Sequence, residues 1–224
     1  MNAEELTGRT RTHIVESRDP AFLLHVHVRA PFLALRRAAA AAGMDLAAAS
    51  SFRDFQRQLA IWNGKYDGTR TMHDAAGKRI DTARLTPAER VDAILLWSAL
   101  PGASRHHWGT DIDLIDRSAT TPGYQVQLTR DEFEEGGPFA ALGRWLECNA
   151  PRFGFFRPFQ GVRSGVQPEP WHFSFAPVAE NARRDLTLDI LRATLEAAPL
   201  SGKDEVLARL DELHQRFVAR IDPP

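Results

Sequence analysis

The residues best suited to chemistry lie in two short segments that are far apart in the chain. Residues 104–113 read Ser-Arg-His-His-Trp-Gly-Thr-Asp-Ile-Asp, and residues 169–172 read Glu-Pro-Trp-His. Together they offer imidazoles and carboxylates, and catalytic zinc commonly takes three such ligands while its fourth position is left to water. A glutamate beside that water can take its proton. The two segments therefore predict a zinc hydrolase.

The predicted ligand set is two histidines and one aspartate. Asp113 and His172 supply one ligand each, and the second imidazole comes from His106 or from its neighbour His107. Neighbouring residues on extended backbone point to opposite faces, so only one of the two adjacent histidines should reach the metal. Glu169, three residues before His172, is the predicted base. A single histidine is more often structural than a ligand, but this combination of groups favours a metal site.

Arg53 and Asp111 are further candidates for the same site. Arg53 lies at a predicted strand-to-helix turn, where a guanidinium can bind a terminal carboxylate or polarise a scissile carbonyl; the alternative is a surface arginine. Gln58 follows in the predicted helix. Asp111 shares the predicted strand face of the ligand aspartate, where it either holds a ligand imidazole or is a solvated carboxylate. Trp108 and Trp171 either line the cleft or pack in the core.

The predicted elements place both segments on strands. Residues 110–115 alternate apolar and acidic side chains, which predicts a strand with its carboxylates on one face, and residues 171–175 alternate again. Residues 46–52 predict a short buried strand. The polar segment 64–84 carries three glycines and is longer than most loops, which is typical of a lid or a binding loop. Helices are expected over 32–42, 54–63, 86–100 and 139–149, followed by two helices from 178 onward that are interrupted at 199–202.

Length and composition predict one globular domain. The chain has 224 residues, of which 43% are hydrophobic and 25% charged, with 28 basic and 29 acidic side chains. Because the charges balance and form no basic stripe, nucleic acid is not an expected partner. The single cysteine, Cys148, excludes an internal disulfide framework and a thiolate-rich zinc site. No signal peptide or membrane-spanning stretch is visible, so the chain is expected in the cytoplasm as it stands, or in the cell envelope if a leader was removed.

Three segments resemble the VanY-type D-alanyl-D-alanine carboxypeptidases of the LAS metallopeptidase group. The family pattern Ser-x-His-x-x-Gly-x-Ala-x-Asp is matched by Ser104, His106, Gly109 and Asp113, with Asp111 in place of the alanine. The later Glu-Pro-Trp-His pattern is matched completely at residues 169–172. A third pattern, Ser-Gly-Tyr-Arg-Ser followed by Gln, is matched by Ser50, Arg53 and Gln58. The resemblance covers residues 45–176.

The resemblance implies an α+β fold in which a small antiparallel sheet carries the zinc site and helices flank the sheet. It selects His106, so that His106, Asp113 and His172 hold the metal and Glu169 is the catalytic base. Asp111 leaves the ligand spacing intact but is expected to add negative charge near the metal.

The resemblance also implies the substrate contacts, which are Arg53, Gln58 and Ser104; Arg53 is a catalytic candidate as well. The chain is then a single metallopeptidase domain over residues 1–224. Its motif core covers residues 45–176, and a helical extension covers residues 177–224.

The expected function is that of a zinc carboxypeptidase that cleaves a terminal D-alanine from peptidoglycan-type peptides ending in D-Ala-D-Ala. The expected partner is a peptidoglycan peptide or muropeptide. An L,D-carboxypeptidase and a peptidoglycan endopeptidase remain alternatives, because the sequence does not show the pocket beyond the scissile bond. A non-catalytic zinc-bearing binding module is a further alternative, against which Glu169 argues.

Overall fold

Eight short strands form three antiparallel sheets in the structure, a computed structural model that describes residues 1–224. The strands are β1 (Ile14–Arg18), β2 (Ala21–His25), β3 (Leu46–Ser50), β4 (Met72–His73), β5 (Arg79–Ile80), β6 (Asp111–Asp116), β7 (Phe155–Phe156) and β8 (His172–Phe175). Strands β3, β6, β8 and β7 form a four-stranded sheet in that order, while β1 pairs with β2 and β4 with β5. The small antiparallel sheet flanked by helices that the sequence predicts is confirmed.

Nine α-helices surround the sheets. They are α1 (Ala3–Leu6), α2 (Arg29–Ala41), α3 (Phe55–Tyr66), α4 (Pro87–Leu95), α5 (Ala140–Asn149), α6 (Ala176–Asp185), α7 (Leu188–Glu196), α8 (Lys203–Ala208) and α9 (Leu210–Leu213). A π-helical stretch, His214–Ala219, continues α9, and a 3-10 turn covers Arg105–Trp108. None of these helices has both the length and the apolar character that crossing a membrane requires.

Side-chain caps fix where two of the helices near the site begin. The Asp54 carboxylate accepts a hydrogen bond from the Arg57 N–H, so α3 starts at Phe55, two residues after Arg53. Thr86 and Glu89 form the capping box that the sequence predicts at the start of α4. A cap of this kind contributes about 1 kcal/mol, because it satisfies N–H groups that have no partner within the helix.

The four-stranded sheet has one apolar face and one polar face. The apolar face packs against α2 and α5 and presents Ile112, Leu114, Phe173 and Phe175. Strand alternation turns the intervening residues to the other face. There the pairing register sets Asp113 opposite His172 and Asp111 opposite Ser174. Backbone pairing of β6 with β8 therefore joins the two motif segments, which are distant in sequence.

A second core lies on the polar side of this sheet. It is built from α3, α4 and the helices of the C-terminal segment, and it includes Trp62, Ile94, Trp108, Leu191 and Phe217. The C-terminal helices thus share one core with α3, which begins beside Arg53. This shared core supports the proposal that residues 1–224 form a single domain.

Two predicted segments near the site differ from the structure. Residues 64–84 are not one loop, because α3 continues to Tyr66 and the hairpin β4–β5 follows, with the Asp74 carboxylate accepting from the N–H groups of Ala76 and Lys78 in its turn. Helix α4 ends at Leu95 rather than near residue 100. Beyond it, the Trp97 indole donates to the carbonyl of Asp74, which ties the chain to the hairpin instead of extending the helix.

The two ends of the chain contain more elements than the sequence predicts. The hairpin β1–β2 precedes α2, and the predicted pair of C-terminal helices is four helices and a π-helical stretch. The additional break between α6 and α7 lies at Leu186 and Thr187, where the Thr187 hydroxyl accepts from the Ile190 N–H and starts a new helix.

Candidate metal centre and its cavity

His106, Asp113 and His172 meet on the polar face of the sheet. Each offers one ligand atom, these atoms all lie within 4.8 Å of one another, and all three residues are buried. Nε2 of His106 lies 3.4 Å from Oδ2 of Asp113, and Nδ1 of His172 lies 3.3 Å from Oδ1 of Asp113. The structure therefore brings together the three residues that the sequence predicts as ligands.

The chemistry of this group fits a zinc ion. Oδ1 of Asp113 is buried and has no hydrogen-bond partner, which is costly unless a cation or another donor compensates it. Two imidazole nitrogens and one carboxylate oxygen form a donor set that suits zinc, and three protein ligands are the number found in catalytic rather than structural sites.

The His106 imidazole is held so that its Nε2 faces the other two ligands. Its Nδ1 donates to the carbonyl of Ser51 at 2.8 Å, which leaves Nε2 without a proton. Burial lowers the pKa of His106 to about 3, so the imidazole is neutral near pH 7, as a metal ligand must be. His106 lies in the 3-10 turn Arg105–Trp108 that precedes β6, not on extended backbone, and of the two adjacent histidines only His106 faces the other candidate ligands.

His107 has a different task. Its Nδ1 donates to the carbonyl of Arg53 at 2.6 Å, and its Nε2 accepts from the Gly102 N–H at 3.1 Å. Both nitrogens are thus engaged within the protein, and neither is free for a metal. A side chain at Gly8 would place a Cβ 2.3 Å from the His107 ring, so glycine is required there. His107 fixes the backbone at Arg53 and supplies no ligand.

Asp111 holds the imidazole of His172, the second candidate ligand histidine. Nε2 of His172 donates to Oδ1 of Asp111 at 2.8 Å, which leaves Nδ1 of His172 directed at Asp113 and Glu169. Asp111 is completely buried, so the alternative of a solvated strand carboxylate is wrong. A carboxylate that accepts from the outer N–H of a ligand histidine fixes its tautomer and its ring orientation.

A buried cation balances Asp111. Nε of Arg105 donates to Oδ1 of Asp111 at 2.8 Å, and the hydroxyls of Thr110 and Ser174 donate to its Oδ2 at 2.5 and 3.0 Å. Burial would raise the pKa of Asp111, but Arg105 and His172 more than reverse this, so its pKa is held well below its usual range. The Arg105 guanidinium also lies 4.8 Å from the Trp108 ring. Asp111 therefore does carry a negative charge beside the candidate ligands, as expected, and Arg105 balances that charge.

Glu169 lies next to the ligand group. Its Oε2 is 3.2 Å from Nδ1 of His172, and it comes from the turn just before β8. Burial raises the pKa of the Glu169 carboxyl, as is favourable for a group that must take up and release a proton. Burial also lowers the pKa of His172, but the carboxylates of Asp111, Asp113 and Glu169 outweigh it and raise that pKa well above its usual value.

Arg53 lies on the wall of the same cavity, and Gln58 lies behind it. Nη1 of Arg53 donates to Oε1 of Gln58 at 2.9 Å, and Nη2 donates to the Ser50 hydroxyl at 3.3 Å. Gln58 is fully buried and donates its Nε2 to the carbonyl of Ala99, so both ends of its amide are engaged. The structure brings Arg53 and Ser104 to the cavity but not Gln58, which positions the guanidinium.

The cavity above the ligand group has a volume of about 600 Å³. Trp108 and Trp171 are both buried and both line it, so each serves the core and the cleft. Other parts of the wall come from residues outside the matched motifs, some of them in the polar segment 64–84 that the sequence predicts as a lid or a binding loop. They are the tip of the β4–β5 hairpin at Ala76 and Gly77, helix α3 at Ile61 and Lys65, and the C-terminal residues Phe217, Val218 and Ile221. No motif marks these residues, because only long-range packing brings them to the site.

A C-terminal clasp supports one wall of the cavity. The Asp222 carboxylate accepts from the N–H groups of Gln160 and Arg163 at 2.7 and 3.0 Å, and the Asp222 N–H donates to the carbonyl of Pro158. Within the segment held in this way, the Phe159 ring packs edge-on against the His172 imidazole with their centroids 5.0 Å apart. The clasp is thus one aromatic contact away from a candidate ligand.

Comparison with known proteins identifies relatives of most of the chain. The sequence profile of the family described as "VanY: D-alanyl-D-alanine carboxypeptidase" matches residues 21–178. An uncharacterised protein of Haemophilus influenzae is 35% identical over 121 residues, which are 53% of this chain and 92% of that protein. A D-alanyl-D-alanine carboxypeptidase of Enterococcus faecalis is 28% identical over 144 residues, which are 63% of this chain but only 44% of that protein.

Solved structures share the fold at low sequence identity. VanYB in complex with D-alanine-D-alanine superimposes with a TM-score of 0.52 at 22% identity, over 81% of this chain and 88% of that chain. A mutant of the vancomycin resistance D,D-pentapeptidase VanY in complex with Zn(II) gives the same TM-score at 20% identity, over 88% and 92%. At these identities the likeness shows the fold.

Proposed function

The chain belongs to the VanY family of D-alanyl-D-alanine carboxypeptidases, and from this premise we propose that it is a zinc-dependent enzyme that removes the terminal D-alanine of peptidoglycan peptides ending in D-Ala-D-Ala. One observation carries the proposal. The imidazoles of His106 and His172 meet the Asp113 carboxylate, one oxygen of which has no hydrogen-bond partner, at one cavity. Beside them lies Glu169, whose pKa is raised. That cavity also presents a guanidinium, as the cleavage of a peptide with a charged end requires.

The residues of this chain divide the reaction between them. His106, Asp113 and His172 would hold the zinc ion, which supplies Lewis acidity that polarises a carbonyl and makes water more acidic. Glu169 takes the proton of the attacking water and returns it to the leaving amine, for which its raised pKa suits it. Asp111 keeps the His172 ring in the orientation that this arrangement needs.

Arg53 and Ser104 bind the substrate in this proposal. The Arg53 guanidinium is oriented by Gln58 and Ser50, so little rotational freedom is lost when it binds a carbonyl or a carboxylate oxygen. Ser104 lines the cavity two residues before His106, and its hydroxyl has no hydrogen-bond partner within the protein. It is therefore available to a substrate that lies along the ligand group.

The first prediction concerns metal content. Protein purified without chelator and supplied with zinc should contain one zinc per chain, measured by elemental analysis. Asp113→Asn should lose most of this zinc. The amide keeps the shape of the side chain but removes its negative charge, and the two neutral imidazoles supply none. Asp116→Asn is a matched control on the same strand, outside the ligand group. Persistent absence of metal from the wild type in excess zinc would refute the site.

The second prediction separates a carboxypeptidase from an endopeptidase. Amidation of the substrate C-terminus should lower kcat/KM by about 10²-fold or more, because buried donors that are oriented towards a carboxylate would be left poorly paired. Arg53→Ala should then impair cleavage of the free acid far more than cleavage of the amide. Steady-state kinetics on the two forms of one D-Ala-D-Ala peptide, with products identified by mass, measures both effects.

The competing specificities predict different products in the same assay. Equal cleavage of acid and amide by the wild type would favour an endopeptidase, in which Arg53 serves only the scissile carbonyl. Cleavage of peptides ending in a single D-alanine, with no cleavage after D-Ala-D-Ala, would favour an L,D-carboxypeptidase. Zinc binding without cleavage of any of these peptides would favour a non-catalytic binding module.

A further inference from the structure

Lys65 presents a cation to the cavity that the reaction described above does not use. The residue lies in the last turn of α3, is partly buried, and lines the same cavity as the ligand group. Its Nζ donates to the Ser98 hydroxyl at 2.7 Å. Three carboxylates line this cavity, from Asp113, Asp131 and Glu169, but Lys65 forms a salt bridge with none of them. An ammonium has three donors, so Lys65 retains two for a ligand.

Lys65 stays charged near pH 7 although burial and the nearby cations oppose its charge. Burial lowers its pKa to about 8, so the amine still carries a proton near pH 7 although much of its hydration has been removed. A second cation, Arg70, lines the same cavity and is near enough to lower the pKa of Lys65 further. The Arg70 side chain lies against Gly64, where a Cβ would come within 3.0 Å of its Cδ. Glycine at this helical position thus gives the arginine its place at the cavity wall.

The geometry of α3 places Lys65 within reach of the same short peptide as Arg53. The Arg53 guanidinium contacts Gln58, and Gln58, Ile61 and Lys65 follow one another on one face of the helix. The backbone of residue 65 is about 10 Å along the helix axis from that of residue 58. The two cations lie near enough to each other that Arg53 adds to the effect of burial in lowering the pKa of Lys65. Two or three residues of extended peptide, at about 3.3 Å each, span the gap.

We propose that Lys65, with Arg70 and Ser98, forms a second anion subsite that binds a carboxylate of the substrate peptide. This inference rests on the proposed function and adds the substrate class: a peptide with a carboxylate that Arg53 does not hold. The carboxylate has two chemical sources. It is either an acidic side chain one or two residues from the scissile bond, or the C-terminal carboxylate; in the second case Arg53 serves the scissile carbonyl, and Arg53→Ala should impair cleavage of acid and amide alike.

Three matched peptides distinguish the two sources. They are acetyl-Gln-D-Ala-D-Ala, the same peptide with Glu in place of Gln, and the first peptide with an amidated C-terminus. Their dissociation constants are measured by calorimetry on zinc-loaded protein carrying Glu169→Gln, which prevents turnover. In this background Lys65→Met should weaken binding of the peptide that carries the carboxylate bound by Lys65 about tenfold, and leave unchanged the matched peptide that lacks that one carboxylate. Lys203→Met is the matched control, because Lys203 donates to the Glu196 carbonyl in the C-terminal region.

The pattern of losses identifies the carboxylate. If Lys65→Met abolishes the preference for Glu over Gln, the subsite binds an acidic side chain; if it abolishes the preference for acid over amide, the subsite binds the C-terminus. Equal weakening of all three peptides, or no weakening, would overturn the proposal. Lys65→Arg, which keeps the charge, should retain most of the preference that Lys65→Met removes. If Lys65 only held Ser98 in place, the effects of the two variants would not depend on whether the charge is kept.

A second readout does not depend on the reaction. The chain has three lysines, so protein labelled with ¹³C at lysine Cε gives three signals, two of which, from Lys78 and Lys203, are internal controls. Addition of N-acetyl-D-alanine or N-acetyl-glutamate should shift the Lys65 signal, while the corresponding amides should not. A shift without cleavage of any D-Ala-D-Ala peptide would refute the proposed function and retain the subsite. Cleavage with no shift from either acid would retain the function and refute the subsite.

Discussion

Replacing Glu169 by glutamine should leave zinc bound and reduce kcat by about 10²- to 10⁴-fold, the usual contribution of a positioned general base. Glutamine preserves the size of the side chain and its place 3.2 Å from the candidate ligand His172, but it cannot take up a proton near pH 7. Turnover of a D-Ala-D-Ala peptide and zinc content are measured on the same preparation, so that the two effects are separated.

The control for this change is Glu196→Gln, an exposed glutamate on α7, which should retain both zinc and turnover. A Glu169→Gln protein that had lost its metal would contradict the assignment, since Glu169 would then be a ligand and Asp113 would not be needed as one. Unchanged turnover with zinc retained would show that another group takes the proton.

Replacing Arg105 by methionine should lower the free energy of unfolding by about 3 kcal/mol, since it leaves a buried carboxylate without its cation. Asp111 is completely buried and depends on Arg105 for its compensating charge. The same change should weaken zinc binding by about tenfold or more, because Asp111 orients His172. Chemical denaturation measures the first effect, and competition with a zinc chelator measures the second.

A double-mutant cycle tests the cause of the Arg105 effect. Asp111→Asn removes the charge that Arg105 balances, so the protein with both changes should be more stable than the sum of the two single losses predicts. Additive losses would mean instead that Arg105 stabilises the fold through its contact with the Trp108 ring, which Asp111→Asn does not affect. Arg117→Met, in the exposed ion pair with Asp45, should cost no more than about 1 kcal/mol and serves as the surface reference.

The meeting of the three candidate ligands could be predicted from the sequence because their residue types and spacing are unusual together. Strand alternation placed Asp111 and Asp113 on one face, and the structure confirms the strand. The sequence did not contain the pairing of Asp113 with His172, because strand register depends on two distant segments at once. The choice between the two interpretations of Asp111 also required the structure, since Arg105 reaches it from a neighbouring turn.

Most of the remaining differences between the predicted and the observed structure have two causes: the direction of single side chains and the shortness of some strands. The matched family pattern placed Gln58 among the substrate contacts, but the helix turns its amide towards Ala99 and Arg53. The β4–β5 hairpin consists of two-residue strands, which are too short to show alternation. No motif singles out Lys65, because only long-range packing determines that it lines the cavity of the candidate ligands.

The clasp at Asp222 couples two equilibria, the closure of the C-terminal end of the chain and the binding of zinc. The segment that Asp222 holds at Gln160 and Arg163 carries Phe159, which packs against His172. If zinc stabilises the closed clasp by some factor, the closed clasp must raise zinc affinity by the same factor. Occupancy of the metal centre should therefore slow amide hydrogen exchange at Gln160 and Arg163. Asp222→Asn should reduce both that protection and the affinity for zinc.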